Sequence, residues 1–366
     1  MRALILAVMF CAADLYSAAG PVEQWGRLQV KGVQLCSDQG DPVQLRGVSS
    51  HGLQWFGQFM TDKALDFACS GMGADLFRIA MYVEEGGYVT NPAGFTARVN
   101  KLVDMCEKRG IYCIIDWHIL ADGDPNKNIS HARTFWKAMA KAHAGKKHVL
   151  YEICNEPNGS GATWDRIKTY ADDIIGNCIK PYDPATVVIV GTPNWSSQLG
   201  PVTQNPLQFT NVMYTFHFYA GTHTDTAPLA QYLNKIPVFC TEWGPTDADG
   251  DGGENYGVAD KYMELMAGKN SSGQLVSWAS WSYCDDFRSS SHLKKGSCAA
   301  GLYDLSRLTA AGNYTMDQIQ SGVSPSPPPG PIPDPAPNPP DPSPVPDNPP
   351  FPWPFPWSFP WFAVRP

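Results

Sequence analysis

The sequence lacks several features that would indicate common classes of protein. Beyond residue 19 it has no apolar run long enough to cross a bilayer. Charged residues make up only 17% and the net charge is −8, whereas a nucleic-acid partner needs an excess of Lys and Arg on one face. No strand-like run is followed by a glycine-rich dinucleotide fingerprint, and no His-Glu-x-x-His pattern indicates zinc. We therefore expect no membrane span, no nucleic-acid partner, no cofactor and no metal.

The first nineteen residues have the pattern of a secretory signal peptide. Arg2 gives a positive start, residues 3–13 are apolar, and residues 17–19 are small enough for cleavage. The apolar stretch is too short to span a bilayer. The sequence therefore predicts a secreted, extracellular protein.

Cysteine pairing stays open at this point. Without Cys11, nine of the ten cysteines remain, an odd number. Cys284 and Cys298 bracket a polar loop and could form a disulfide in an oxidising compartment. Three others lie inside predicted strands, where a small buried hydrophobe is expected: Cys113, Cys154 and Cys240.

Short apolar runs alternate with longer amphipathic stretches from Trp25 to about Tyr303. The spacing of the runs, roughly 25 to 40 residues, leaves room each time for a crossover helix. One such helix is predicted over residues 97–109, closed by Gly110. Eight runs are present: 45–47, 76–79, 111–116, 149–155, 187–191, 212–217, 238–242 and 278–281. This pattern predicts a (β/α)8 TIM barrel over residues 20–320; a doubly wound open sheet is the alternative.

The composition changes after residue 320. Residues 321–350 are rich in Pro with Asp, Ser and Asn, and are predicted to be an extended, disordered linker. Residues 351–366 place an aromatic residue at every odd position from 351 to 361. An extended chain would align these rings for stacking on a flat polysaccharide, whereas a polyproline helix would scatter them. The tail is therefore either an adhesive segment or an unstructured one without a defined role.

Two of the apolar runs end in a glutamate followed closely by proline. Residues 149–157 read Val-Leu-Tyr-Glu-Ile-Cys-Asn-Glu-Pro, and residues 237–245 read Pro-Val-Phe-Cys-Thr-Glu-Trp-Gly-Pro. In a parallel barrel, such endings deliver side chains to the carboxyl-end face. Glu156 and Glu242 would then meet, as cleavage of a glycosidic bond requires: one carboxyl group protonates the leaving oxygen and the other faces the sugar carbon.

Other polar and aromatic residues lie within the runs or at their ends, and their chemistry suits supporting roles. Arg78 and Tyr219 can donate hydrogen bonds that keep a nucleophilic carboxylate ionised. Asn155 can donate to the sugar hydroxyl beside the reacting carbon, and Trp281 can form an apolar floor below the ring. The acid needs a raised pKa, from burial and a nearby negative charge. Two histidines complete the set: His118 and His217.

Five motifs in this order resemble those of glycoside hydrolase family 5 endoglucanases, the bacterial and nematode type of cellulase. They are Leu-Arg-Gly-Val-Ser-Ser-His-Gly-Leu-Gln-Trp at 45–55, Ile-Asp-Trp-His at 115–118, Tyr-Glu-Ile-Cys-Asn-Glu-Pro at 151–157, Tyr-Thr-Phe-His-Phe-Tyr-Ala at 214–220 and Thr-Glu-Trp-Gly at 241–244. The resemblance runs from about residue 26 to about residue 301. It implies endo-cleavage of β-1,4-glucan with retention of configuration.

The resemblance also implies a role for each matching residue. Glu156 becomes the acid/base and Glu242 the nucleophile. His51 and Trp55 become the sugar platform on the non-reducing side, and Trp195 the platform on the reducing side. Six residues match those that line the cleavage subsite: Arg78, His118, Asn155, His217, Tyr219 and Trp281.

One pair of residues departs from the family pattern. The family usually carries a lysine and a glutamate after the eighth strand that grip the neighbouring sugar, whereas this chain has Asp286 and Arg288. Either the grip persists with reversed charges, or the preferred chain length differs. A related mannanase or xylanase, and a carbohydrate-binding protein without activity, are the rival interpretations. A monomer acting on a β-1,4-glucan polysaccharide is the expected state.

Overall fold

The computed structural model of the chain describes residues 20–269 and 272–321. The predicted signal peptide, almost all of the predicted linker and the whole aromatic tail lie outside these residues. Within the part described, no helix combines the length and the hydropathy that a bilayer crossing needs.

Eight parallel strands form a closed barrel, as the spacing of the apolar runs predicts. In chain order they are β1 Arg46–Ser50, β2 Leu76–Tyr82, β3 Tyr112–His118, β4 Val149–Glu152, β5 Val188–Val190, β6 Val212–Thr215, β7 Val238–Gly244 and β8 Trp278–Tyr283. Each strand pairs with the next along the chain, and β8 returns to pair with β1, where Trp278 lies beside Arg46. This closing pair confirms the TIM barrel and excludes the open sheet.

Helices surround the barrel, and the caps of the longest one follow from the sequence. Helix Pro92–Arg109 begins where the Asn91 side chain accepts a hydrogen bond from the Gly94 amide, and it ends at Gly110, whose φ is +65°. The other α-helices are Pro21–Trp25, Leu53–Phe56, Asp62–Asp66, Ile129–Ala142, Trp164–Ile174, Pro193–Ser196, Gly200–Gln204, Ala227–Ala230, Tyr256–Met266 and Ala310–Gln320.

The alternation of side chains along the strands divides the core into layers. In β2, Phe77 and Ile79 face outward into the large apolar layer under the helices. Leu76 faces inward, into a second layer that fills the amino-terminal half of the barrel. A hairpin of strands Gln29–Lys31 and Gln34–Cys36 contributes to this second layer through Leu35. The carboxyl-terminal half of the barrel is left to polar and aromatic side chains.

The possible disulfide between Cys284 and Cys298 is not formed, because both residues are buried free thiols. The sulfur of Cys284 instead lies 3.2 Å from the hydroxyl of Ser282 and 3.4 Å from that of Ser291. The three strand cysteines are buried and free, as expected of small hydrophobes: Cys113, Cys154 and Cys240.

Candidate active site

The two glutamates lie at the carboxyl end of the barrel, on strands that are not neighbours. Glu156 follows β4, and Glu242 lies within β7. The pairing of β7 with β8 advances three residues on β7, from Cys240 to Trp243, for two residues on β8. This extra residue is a bulge, which lets the consecutive side chains of Thr241 and Glu242 both face the barrel interior.

The carboxyl groups of Glu156 and Glu242 face each other across a short gap. One carboxylate oxygen of each and one ring nitrogen of His217 all lie within 4.8 Å of one another. Both glutamates are buried but retain slight exposure, 8% for Glu156 and 5% for Glu242. The gap matches the carboxyl separation of about 5 to 5.5 Å that is found where one carboxylate is a nucleophile.

Glu242 accepts one strong hydrogen bond on each carboxylate oxygen. Tyr219 donates its hydroxyl hydrogen to Oε1 over 2.6 Å, and Arg78 donates from Nη1 to Oε2 over 3.0 Å. Tyr219 is brought there by a two-residue strand, Phe218–Tyr219, which prolongs β6 and pairs with β7. Donors of this kind stabilise the ionised form of a carboxylate.

Arg78 is fully buried and contacts three carboxylates, two of which the sequence interpretation missed. Its Nε atom lies 2.7 Å from Glu152 Oε2, and its Nη2 atom lies 3.0 Å from Asp116 Oδ2. Burial raises the pKa of Asp116 to about 8, while Arg78 lowers it and Glu242 raises it. The signal that could have found Glu152 is its position inside an apolar strand, where a charge needs a partner.

Burial and charge give Glu156 the character of an acid. Burial raises the pKa of Glu156 to about 8; the Arg78 cation lowers this pKa, and Asp116 and Glu152 raise it. The Oε1 atom of Glu156 lies 2.8 Å from Nδ1 of His217. Burial lowers the pKa of His217 to about 4, so the ring is neutral near pH 7.

Asn155 and His118 form a second hydrogen-bonded group beside the glutamates. Asn155 accepts a hydrogen bond from Arg78 on Oδ1 over 2.6 Å, and its Nδ2 atom donates to the carbonyl oxygen of Ile119 over 3.1 Å and lies 3.2 Å from Nε2 of His118. His118 in turn contacts Asp116 through Nδ1 at 2.6 Å. Asn155 is thus fixed next to Glu156 by Arg78 on β2 and by the end of β3.

Aromatic rings line the site on the side of β1, β2 and β8. Trp281 stacks on His118 with 5.4 Å between ring centroids and lies 5.0 Å from the ring of His51. Trp55 contacts His51 at 5.5 Å and Tyr82 at 5.0 Å. The structure therefore gathers His51, Trp55 and Trp281 into one wall; Tyr82 is a further member that the sequence interpretation did not single out.

Trp195 lies on the opposite side, after β5, and is 46% exposed. Three consecutive residues other than glycine adopt a positive φ there: Asn194 at 57°, Trp195 at 54° and Ser196 at 57°. This unfavourable conformation persists because neighbouring loops restrain it. The Trp195 amide donates to the Pro157 carbonyl over 3.0 Å, and the Ser196 hydroxyl donates to the Asn155 carbonyl over 2.6 Å. Trp195 is thereby tied to the loop that carries Glu156.

Asp286 and Arg288 bind each other after β8. Nη1 of Arg288 lies 2.6 Å from Oδ2 of Asp286, and the same oxygen lies 3.8 Å from Nε2 of His51. The Arg288 guanidinium also lies 4.9 Å from the ring centre of Phe287, which is 70% exposed. The departure from the family pattern is thus an internal ion pair beside the aromatic wall.

Glu156, His217 and Glu242 also have the spacing of a metal-ligand set. Their ligand atoms already carry hydrogen bonds, and the Arg78 cation lies 3.0 Å from Glu242, which opposes a second cation. The arrangement therefore fits a hydrogen-bonded pair of carboxyl groups better than it fits a metal centre.

A closed (β/α)8 barrel with two facing glutamates at the carboxyl ends of β4 and β7 has the architecture of glycoside hydrolases. A family model described as cellulase, glycosyl hydrolase family 5, matches residues 36–286. The chain belongs to this family.

Named relatives agree with this assignment. The chain is 45% identical over 316 residues to endoglucanase E-5 of Thermobifida fusca, and 42% identical over 298 residues to an endoglucanase of Clostridium saccharobutylicum. These alignments cover 82% and 80% of this chain, and 65% of each relative's length. The catalytic domain of the Thermobifida fusca enzyme has been solved in complex with cellotetraose, and it superposes on this chain with a TM-score of 0.78 at 44% sequence identity. The superposition covers 82% of this chain and 99% of the Thermobifida fusca domain.

Proposed function

We propose that the protein is a secreted endo-β-1,4-glucanase that hydrolyses internal bonds of cellulose and related β-glucans with retention of configuration. The observation that carries this proposal is the approach of Glu156 and Glu242, whose nearest ligand atoms lie within 4.8 Å. An inverting enzyme needs about 6.5 to 9.5 Å between its carboxyl groups to admit a water molecule. The endoglucanase names of the relatives support the choice of a β-glucan.

The first chemical step forms a covalent intermediate. A carboxylate oxygen of Glu242 attacks the anomeric carbon, the bond from that carbon to the glycosidic oxygen breaks, and Glu156 gives its proton to the departing oxygen. Tyr219 and Arg78 orient the attacking carboxylate through one hydrogen bond to each of its oxygens. The pKa of Glu156, raised to about 8 by burial, keeps the proton in place near neutral pH.

The second step releases the sugar. Water attacks the anomeric carbon, the bond to Glu242 breaks, and Glu156 takes a proton from the attacking water. Two displacements at one carbon restore the original configuration. Both residues return to their starting states, so a cofactor has no place in this cycle.

A panel of polysaccharides tests the substrate class. We expect the protein to hydrolyse carboxymethyl cellulose and mixed β-glucan much faster than mannan or xylan, and to release the β-anomer first from cello-oligosaccharides. Product anomers can be followed by NMR before mutarotation. Faster turnover of mannan or xylan would move the assignment to a related glycanase, and binding without turnover of any of these glycans would indicate a carbohydrate-binding protein.

Exposed Trp195 is proposed as the platform for sugars on the reducing side. We expect Trp195→Ala to raise KM for cellohexaose about tenfold with a smaller change in kcat, because an exposed ring loses stacking area without touching the carboxyl pair. Exposed Tyr182 lies in another surface region and is 37% exposed; Tyr182→Ala is the matched control and should leave both constants unchanged. An equal effect of the two substitutions would exclude a platform at Trp195.

Secretion and the monomeric state are also part of the proposal. Secretion is supported by the signal-peptide pattern of residues 1–19. Amino-terminal sequencing of the exported protein, and its size in solution, would test these two points.

A further inference from the structure

A continuous chain of buried hydrogen bonds connects the two facing glutamates through the barrel interior. From Glu156 it passes to His217 over 2.8 Å, from His217 Nε2 to the Thr241 hydroxyl over 2.9 Å, and from that hydroxyl to Glu152 Oε1 over 2.7 Å. Glu152 then binds Arg78, which binds Glu242. Neither Thr241 nor Glu152 has a place in the two chemical steps above.

The hydrogen bonds of Glu152 favour its ionised form. Both of its oxygens accept hydrogen bonds from Arg78: Oε2 from Nε over 2.7 Å and Oε1 from Nη2 over 3.2 Å. A guanidinium has only donors. Two hydrogen bonds donated by one cation stabilise the ionised form, so the pairing favours the carboxylate, although burial raises the pKa of this group.

The Thr241 hydroxyl can donate only one hydrogen. It points to the charged acceptor Glu152 Oε1 at 2.7 Å in preference to the Thr215 hydroxyl at 3.5 Å. The Thr241 oxygen must then accept a hydrogen bond from His217, which requires a proton on Nε2. Because the ring is neutral, Nδ1 carries a lone pair and faces Glu156.

We propose that Thr241 and Glu152 are positioning residues that fix His217 with its proton on Nε2 and thereby keep the catalytic proton on Glu156. This inference rests on the proposed function of Glu156 as acid/base. With Nδ1 unprotonated, the short contact to Glu156 Oε1 is a hydrogen bond only when Glu156 carries a hydrogen. An ionised Glu156 would face a lone pair, so the hydrogen-bonded series Glu152–Thr241–His217, here called the relay, disfavours loss of the proton to solvent.

The relay acts together with the other charges around Glu156. His217 and Glu242 face it directly, and Arg78, Asp116 and Glu152 act on it from β2, β3 and β4. Arg78 favours the ionised form, whereas burial, Asp116 and Glu152 favour the protonated form. The tautomer of His217 adds to the second group.

Thr241→Val is the substitution that separates the relay from these other effects. Valine has nearly the shape of threonine but cannot accept the Nε2 hydrogen bond. The His217 proton can then move to Nδ1 and donate to ionised Glu156, which lowers the pKa of Glu156. We expect the alkaline limb of kcat/KM on a soluble β-glucan to move down by about one pH unit.

Two controls distinguish a missing relay from a disturbed fold. Thr241→Ser keeps the hydroxyl and should keep the alkaline limb of the wild type. Thr186→Val removes a buried hydroxyl that contacts the Val149 carbonyl at 3.3 Å at the other end of the barrel, and it should not move the limb. An unchanged limb in Thr241→Val, or an equal shift in Thr241→Ser, would overturn the proposal.

A direct measurement of the tautomer does not depend on activity. Ring ¹⁵N NMR of His217, assigned with a His217→Gln variant, should show the proton on Nε2 in the wild type and a gain at Nδ1 in Thr241→Val. A wild-type ring protonated on Nδ1 would contradict the relay. If the wild type hydrolyses no β-1,4-glycan, the proposed function fails, and the NMR result still decides the tautomer.

Discussion

Glu242→Gln should lower kcat/KM on β-1,4-glucan by about a thousandfold or more while leaving the fold intact. Glutamine has the shape of glutamate, but its amide cannot form the covalent bond to the anomeric carbon. Its carbonyl oxygen can still accept the hydrogen bond of Tyr219, which spans 2.6 Å in the native site. Arg78 keeps its two other carboxylate partners, Asp116 and Glu152. Hydrolysis rates, with the binding of cellotetraose and thermal unfolding measured alongside, test this expectation.

The matched control is Glu264→Gln, an exposed glutamate on the outer helix Tyr256–Met266. It removes one negative charge without touching the site, so activity should stay at the wild-type level. If Glu242→Gln kept more than about a tenth of the wild-type rate, another group would have to be the nucleophile. If it lost cellotetraose binding as well as activity, Glu242 would have a binding role that the double-displacement chemistry does not require.

Much of the scaffold could be predicted from the sequence because strands and crossover helices have different patterns of apolar residues. The run at 111–116 became β3, Tyr112–His118, and the helix predicted over 97–109 lies within Pro92–Arg109. The polar residues at strand ends could be placed on one face because all strands of such a barrel point the same way. A contact such as that between Tyr219 and Glu242 could be predicted from this shared strand direction alone.

Two features of the site could not be predicted from periodicity. Strict alternation along β7 puts either Thr241 or Glu242 inside the barrel, and only the bulge between Cys240 and Trp243 admits both. The place of Glu152 in the site could not be predicted for a different reason. This residue lies only four residues before Glu156 and inside the strand, while the partner that neutralises Glu152 is Arg78, 74 residues away in the sequence.

Arg78→Lys should cause the largest loss of stability among single substitutions at the site, about 3 kcal/mol or more in the free energy of unfolding. The Arg78 guanidinium pairs with Asp116, Glu152 and Glu242 at distances of 2.7 to 3.0 Å. A lysine ammonium keeps the charge but is a single point that cannot reproduce the planar fork. At least one fully buried carboxylate would lose its partner. Urea unfolding of the variant measures the loss.

Arg109→Lys is the control that shows whether the loss of stability in Arg78→Lys depends on burial of the ion pairs or only on their number. Arg109 also binds two carboxylates, Asp62 and Asp66, each at 2.8 Å, but these partners are more than half exposed. Solvent screens such pairs, so this substitution should cost less than about 1 kcal/mol. Arg78→Lys should in addition reduce hydrolysis, because Glu242 loses an aligned donor. Equal destabilisation by the two substitutions would mean that the barrel interior accommodates unpaired carboxylates, through protonation of Asp116 or Glu152, at little cost to the fold.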